Sequence, residues 1–200
     1  MALQVWLPLN GNIRNQGLLN ITPTLMGSGI TYVNGKIGKA AQFPNNCNSC
    51  IHMPGLKMQT GSWATWIKVL GQGATNSQRI ISEGRDSYSD GVEFILDKAG
   101  TTLSFKAHTK SISTSISLNT WYHICGTFGD GIVKFYVNGI EVGSDTYTDD
   151  MDYAQSSHRL VIGKMSYSYT NTGNYFPYNG IVNDVRIYDH CLSPKEIKEI

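Results

Sequence analysis

The stretch from Trp121 to Gly143 leaves this chain the least freedom. Trp121 to Phe128 reads as a strand, Gly129-Asp130-Gly131 as a tight turn, and Ile132 to Val137 as a second strand. Asn138-Gly139 then offers a pair of residues that tolerate positive φ, and Ile140 to Val142 returns. Asn-Gly between two apolar runs is the strongest short-range sign of a two-residue hairpin turn. Three antiparallel strands in succession need a second layer to cover their apolar face.

The rest of the chain repeats that theme. In Gly61 to Leu70, Trp63, Thr65, Ile67 and Val69 share one face, while Ala64, Trp66 and Lys68 share the other. Val92 to Asp97 and Leu103 to His108 flank a Lys98-Ala99-Gly100 turn and read as a hairpin. Ser111 to Leu118 alternates Ser with Ile, and the segments Arg159 to Gly163 and Gly180 to Asp189 complete the strand set. High glycine (21 residues) with sparse charge (16%) suits many short strands joined by Gly and Asn turns. Only one segment is helical in pattern: Ser193 as N-cap, Pro194 in the first turn and Glu196 at the capping-box position, running to Ile200. So short a helix is marginal alone, and Ile200 reads as a boundary or the start of a linker. With no internal repeat, and Ser144 to Ser157 as a long loop, residues 1–200 form a single domain, open to being an N-terminal piece of a longer chain.

Charge balance narrows the partners. Sixteen basic against fifteen acidic side chains give a net charge of +1, and the lysines are scattered. Nucleic acid requires a concentrated basic face, so it is excluded as a partner, as is an anionic membrane surface. The start, Met1-Ala2-Leu3-Gln4-Val5-Trp6-Leu7-Pro8, lacks the basic leader of a secretory signal, and no run approaches the ~20 apolar residues that insert in a bilayer. Cys47-Asn-Ser-Cys50 has half a zinc site's spacing, but Cys125 and Cys191 supply no second pair. Free thiols, two of them buried, are the expected state, with a zinc site using His52 or a redox pair as the alternatives.

Several motifs in order resemble the laminin G-like jelly rolls of the concanavalin A-like superfamily. Trp6-Leu-Pro-Leu-Asn-Gly11 is similar to the family's first strand, and Gly35-Lys-Ile-Gly-Lys-Ala-Ala-Gln-Phe43 followed by Ile51-His-Met-Pro54 to its next pair. Trp66-Ile-Lys68, the pairing of Trp121-Tyr-His-Ile with Lys134-Phe-Tyr-Val-Asn-Gly139, and Gly180 to Tyr188 before Leu192-Ser continue the likeness. The resemblance implies an all-β fold: a two-sheet antiparallel jelly-roll sandwich with a short C-terminal helix, its core about 10 Å thick and its function carried on rim loops. It also implies one structural calcium ion between first and last strands, with Asp184 as the carboxylate ligand and Asn183 where a second aspartate is usual.

A catalytic reading finds little support. Glu93 and Asp97 share a strand face but lie roughly 13 Å apart along it, beyond the ~5–9.5 Å of glycoside hydrolysis. No nucleophile elbow, zincin motif or phosphate-cradling loop occurs. His123 and the tryptophans Trp6, Trp63, Trp66 and Trp121 read as scaffold and core. The loops are more suggestive. Ser166 to Asn179 carries Tyr167, Tyr169, Asn171, Tyr175, Phe176 and Tyr178, and Glu83 to Gly91 carries Arg85, Asp86, Tyr88 and Asp90. Tyrosine among small polar residues gives flat apolar area and hydrogen bonding together, which suits a sugar ring. The expected ligand residues are therefore Tyr167, Tyr169, Asn171, Tyr175, Tyr178, Arg85 and Tyr88. The expected function is a non-catalytic carbohydrate-binding domain that recognises a glycan or host-surface polysaccharide. The start directly on a first strand is similar to laminin G-like modules of bacteriophage virions, so a surface or tail adhesin working outside the cell is expected. A virion decoration domain that contacts other virion proteins, and an accessory module of a hydrolase, are the alternatives.

Overall fold

Two antiparallel sheets face each other across one apolar interior, as the computed structural model of residues 2–84, 91–151, 159–166 and 175–200 describes them. The strands are β1 (Leu3–Leu7), β2 (Thr24–Met26), β3 (Thr31–Asn34), β4 (Lys39–Pro44), β5 (Cys50–Pro54), β6 (Gly61–Val69), β7 (Ser77–Glu83) and β8 (Val92–Asp97). There follow β9 (Thr102–Ala107), β10 (Lys110–Ser115), β11 (Trp121–Gly129), β12 (Ile132–Val137), β13 (Ile140–Thr146), β14 (Arg159–Ile162), β15 (Asn179–Tyr188) and the helix α1 (Pro194–Glu199). The eight-stranded sheet runs β13-β12-β11-β6-β15-β4-β3, with β1 also on β15; the seven-stranded sheet runs β10-β9-β8-β7-β14-β5-β2. This is the expected all-β sandwich with one short C-terminal helix.

The Asn138-Gly139 turn takes the expected form, both residues at positive φ (52° and 76°), and sets Val137 opposite Ile140. Between the sheets, Phe94 and Phe105 meet at 5.0 Å and Phe135 lies 6.1 Å from each, so one aromatic group ties both layers together. Gly126 is what lets Phe105 in: a Cβ there would stand 2.3 Å from the ring. Strands β2, β3 and β7 carry too little alternation to be read from sequence. The first two are only three and four residues long, and the pairing of β7 with β8 shifts register between Arg79 and Ile81.

Strand β15 is the hinge of the architecture. Its first half pairs with β4 and its second half with β1, while β6 runs along its other side. A register shift between Asn183 and Arg186 marks a bulge, with Asp184 at φ 57°. Bulges of this kind re-aim side chains, and both residues expected to hold calcium sit on this one.

Helix α1 is capped as its sequence predicts: Ser193 Oγ accepts from the Glu196 N–H, and a Glu196 carboxylate oxygen accepts from the Ser193 N–H at 2.7 Å. Six residues do not hold a helix by themselves. Buried Ile197, with Leu192, anchors it on Ala64, Cys125 and Tyr136, on the outer face of the eight-stranded sheet. That face corrects the reading of the tryptophans as core. Trp63 is buried, but Trp6, Trp66 and Trp121 are only half-buried, and Trp66 alternates with inward-facing Thr65 and Ile67.

Candidate functional site

Beside α1 the outer face holds a pocket of about 370 Å³, lined by Trp66, Trp121, His123, Lys36, Asn138, Gly139, Ile197, Lys198 and Ile200. Its position follows from strand register. His123 of β11 lies directly opposite Trp66 of β6, and their rings meet at 5.2 Å, tilted by 51°. Trp121 lies two residues from His123, hence on the same face. The hairpin turn supplies one wall: Asn138 Oδ1 accepts from the His123 N–H at 2.9 Å, and the Asn138 N–H donates to the His123 carbonyl at 2.7 Å. Gly139 leaves room for Lys198, whose Cγ would be 3.0 Å from a Cβ there. On the opposite side, Lys36 from the β3–β4 turn holds its Nζ 4.8 Å from the Trp66 ring centroid, a cation–π distance.

The pocket therefore combines two indole faces with an amide, an imidazole and two ammonium groups. Burial pushes His123 down to about 4, with Asp184 opposing and Arg186 assisting, so the imidazole is neutral at physiological pH. A pocket of this size falls within the ~300–1,000 Å³ of small-molecule sites. No nucleophile–base pair is present among its lining residues.

Of the residues expected to bind ligand, Arg85, Tyr88, Tyr167, Tyr169 and Asn171 lie outside the described residues. Tyr175 is half-buried, its N–H donating to Cys47 Sγ at 3.3 Å. Tyr178 needs correction: it is fully buried, its ring packs 6.1 Å from that of Phe43, and its hydroxyl donates toward the Lys68 and Ile181 carbonyls at 3.2 and 3.4 Å. A side chain spent on the core offers no face to a sugar. Nearby, Phe176 stacks under the Arg79 guanidinium at 4.8 Å, and Arg79 reaches Glu93 at 3.3 Å. Glu93, the carboxylate weighed for catalysis, is thus a buried ion-pair partner.

All four cysteines are thiols, as expected, but three and not two are buried. Cys47, Cys50 and Cys125 are all buried and only Cys191 is exposed. Burial pushes Cys50 up to about 11, and Lys164 donates to the Cys47 carbonyl at 2.7 Å. Among the described residues, no group of three or more His, Cys, Asp or Glu side chains is arranged to hold a metal.

The calcium expectation can be tested on the bulge itself. The Asn183 amide nitrogen donates to the carbonyls of Pro8 and Lys39 at 2.9 and 3.0 Å, and its Oδ1 accepts from the Ile37 N–H at 2.8 Å. The Asp184 carboxylate accepts from Trp6 Nε1 at 2.7 Å and pairs with Arg186 at 3.0 Å. A calcium ion wants six to eight oxygen ligands. Here the two carbonyls that converge between first and last strands already have a donor aimed at them, and the carboxylate is turned toward a guanidinium. These residues do not fit the ion. The amide of Asn183 does the joining that a cation would do.

The pocket is what sequence reasoning missed. The alternation of β6 did place Trp66 opposite to Trp63, but nothing in it reveals that α1 covers Cys125 and Tyr136 while leaving Trp66 and Trp121 open.

Comparison with known proteins bears on the scaffold. A family model described as the concanavalin A-like lectin/glucanases superfamily (Laminin_G_3) matches residues 39–198. Among solved structures, domain 4 of AbnA, a GH43 extracellular arabinanase from Geobacillus stearothermophilus, in complex with arabinotriose, is similar with a TM-score of 0.72 and 23% identity; the match covers 99% of this chain and 97% of that one. The binding domain of Paraclostridial Mosquitocidal Protein 1 has a TM-score of 0.72 at 17% identity, and the botulinum neurotoxin serotype D binding domain 0.75 at 14%. In these two the match covers 99% of this chain but spans only about half of the other, 51% and 50%. No curated protein matches the sequence.

Proposed function

Because the chain belongs to the concanavalin A-like lectin/glucanases superfamily, we propose that it is a non-catalytic carbohydrate-binding domain. One observation carries this reading: Trp66 and Trp121 expose indole surface in a pocket that also holds His123 and Asn138. A sugar has an apolar ring face and a hydroxyl edge. An aromatic wall takes the first and an amide or neutral imidazole takes the second. Tyr167, Tyr169, Asn171, Tyr175, Arg85 and Tyr88 are retained in this proposal as further candidate ligand contacts. The arabinanase domain, whose structure includes arabinotriose, supports a saccharide as the ligand class.

Two settings suit such a domain. Its likeness to a domain of an arabinanase favours an accessory module that holds a hydrolase on its polysaccharide. The other setting is an adhesin on a virion or tail surface, working outside the cell against host polysaccharide. Titration calorimetry against a panel of oligosaccharides tests the common claim. Binding that falls at least tenfold in Trp121→Ala, with the fold intact by circular dichroism, is the expected result. A panel without any binder, or affinity unchanged in both Trp121→Ala and Tyr175→Ala, overturns it.

A further inference from the structure

We propose that the Trp66–Trp121 pocket selects a saccharide bearing a carboxylate, such as a uronic acid residue, over a neutral one; this rests on the saccharide reading above. The charged side chains that line the pocket are all of one sign. Lys36 and Lys198 stand on opposite walls, and no Asp or Glu side chain is among the lining residues. His123 adds no charge near neutrality, since burial holds it down to about 4. Asp184, whose charge acts on His123, is paired with Arg186 at 3.0 Å. Two ammonium groups, set against at most the one α-carboxylate of Ile200, thus leave the pocket with a local excess of positive charge in a chain whose net charge is only +1.

Both lysines are positioned by specific features of the fold. Lys36 lies over the Trp66 ring at 4.8 Å, which keeps its ammonium group at the pocket wall. Lys198 crosses the hairpin turn where Gly139, at φ 76°, leaves space for its stem. A pyranose ring against Trp121 would present an equatorial carboxylate to one ammonium group and its hydroxyls to Asn138. A neutral sugar would keep the stacking and hydroxyl contacts but leave the lysines unpaired.

The test is titration of the full chain with trigalacturonate and with arabinotriose, in wild type, Lys36→Ala/Lys198→Ala and Trp121→Ala. Both lysines are exposed, so the double variant should fold normally. Trigalacturonate should bind more tightly than arabinotriose in wild type. The double variant should lose about fivefold or more for the acidic probe and less than twofold for the neutral one. Raising ionic strength about tenfold should reproduce the loss in wild type, because exposed charges are screened. Equal affinity for the two probes with no effect of the double variant overturns the charge selectivity and leaves the saccharide reading standing. Binding of neither probe by the folded wild type removes this inference, and a barren panel removes the saccharide reading with it.

Discussion

Replacing Asn183 asks whether an amide holds the first and last strands together where a cation is expected. Asn183 is buried, and its side chain serves three backbone groups: the Pro8 and Lys39 carbonyls and the Ile37 N–H. Asn183→Ala removes all three bonds and leaves a small void. Three lost bonds at about 1 kcal/mol each, with some recovery by water at the exposed Ile37 and Lys39 and an added cost of similar size from the cavity, give a loss of about 3 kcal/mol. For a domain of this size that lowers Tm by roughly 6–12 °C. Asn183→Asp is more telling. It turns a carboxylate toward two carbonyl oxygens, which is repulsive unless a cation intervenes. Wild type should melt at the same temperature in millimolar calcium and in chelator, while Asn183→Asp should melt lower and recover with calcium. Scanning calorimetry with and without calcium reads both. A wild-type Tm that rises by several degrees with calcium, or an Asn183→Ala variant within 1 °C of wild type, would refute the assignment.

Other consequences can be measured independently. Gly126→Ala sets a methyl 2.3 Å from the Phe105 ring and should cost about 1–3 kcal/mol by overpacking, read from urea denaturation. Glu83 is pushed up to about 7 by burial, although the Lys57 N–H donates to it at 2.7 Å. An acid that binds its proton more tightly when folded makes stability fall as pH rises from about 4.5 to about 7. Glu83→Gln should therefore flatten that slope and gain up to about 3 kcal/mol near pH 8, in a denaturation series over pH. His123 works in the opposite sense: lowered to about 4, it makes stability fall as pH drops below about 6.5, so only the difference between wild type and Glu83→Gln isolates the carboxyl. Tyr178→Phe should cost about 1 kcal/mol in the same assay and leave saccharide affinity unchanged, since the hydroxyl serves backbone carbonyls of the core.

Which parts of this molecule its residues announce, and which they do not, has a physical logic. Local turn chemistry is legible: Asn138-Gly139 adopts the positive φ its residue types favour, and the Ser193–Glu196 box closes as written. Period-2 alternation is legible too, which is why the inward set of β6 is right. What alternation leaves open is how each outer face is covered. Trp66 and Trp121 are aromatic residues in strands, and composition alone reads them as core. Only the placement of α1 over Cys125 and Tyr136 leaves them beside a pocket. Tyr178 shows the converse error. It follows a polar, tyrosine-rich stretch, yet it enters the core just before β15 begins. The bulge at Asp184 is hard to read because Asn-Asp, although both residues tolerate positive φ, lies inside a strand-like run reading Gly-Ile-Val-Asn-Asp-Val.

The position of β15 has a consequence for how the chain acquires its shape. This strand, residues 179–188, is hydrogen-bonded to β1, β4 and β6, elements made long before it. A ribosome that has released only the first 170 or so residues presents β6 and β4 with open backbone edges, a hazard for aggregation. The eight-stranded layer can close only after residue 188 has left the ribosome. Closure should accordingly be slow, as expected when the decisive pairing joins strands as far apart in sequence as Leu3 and Tyr188.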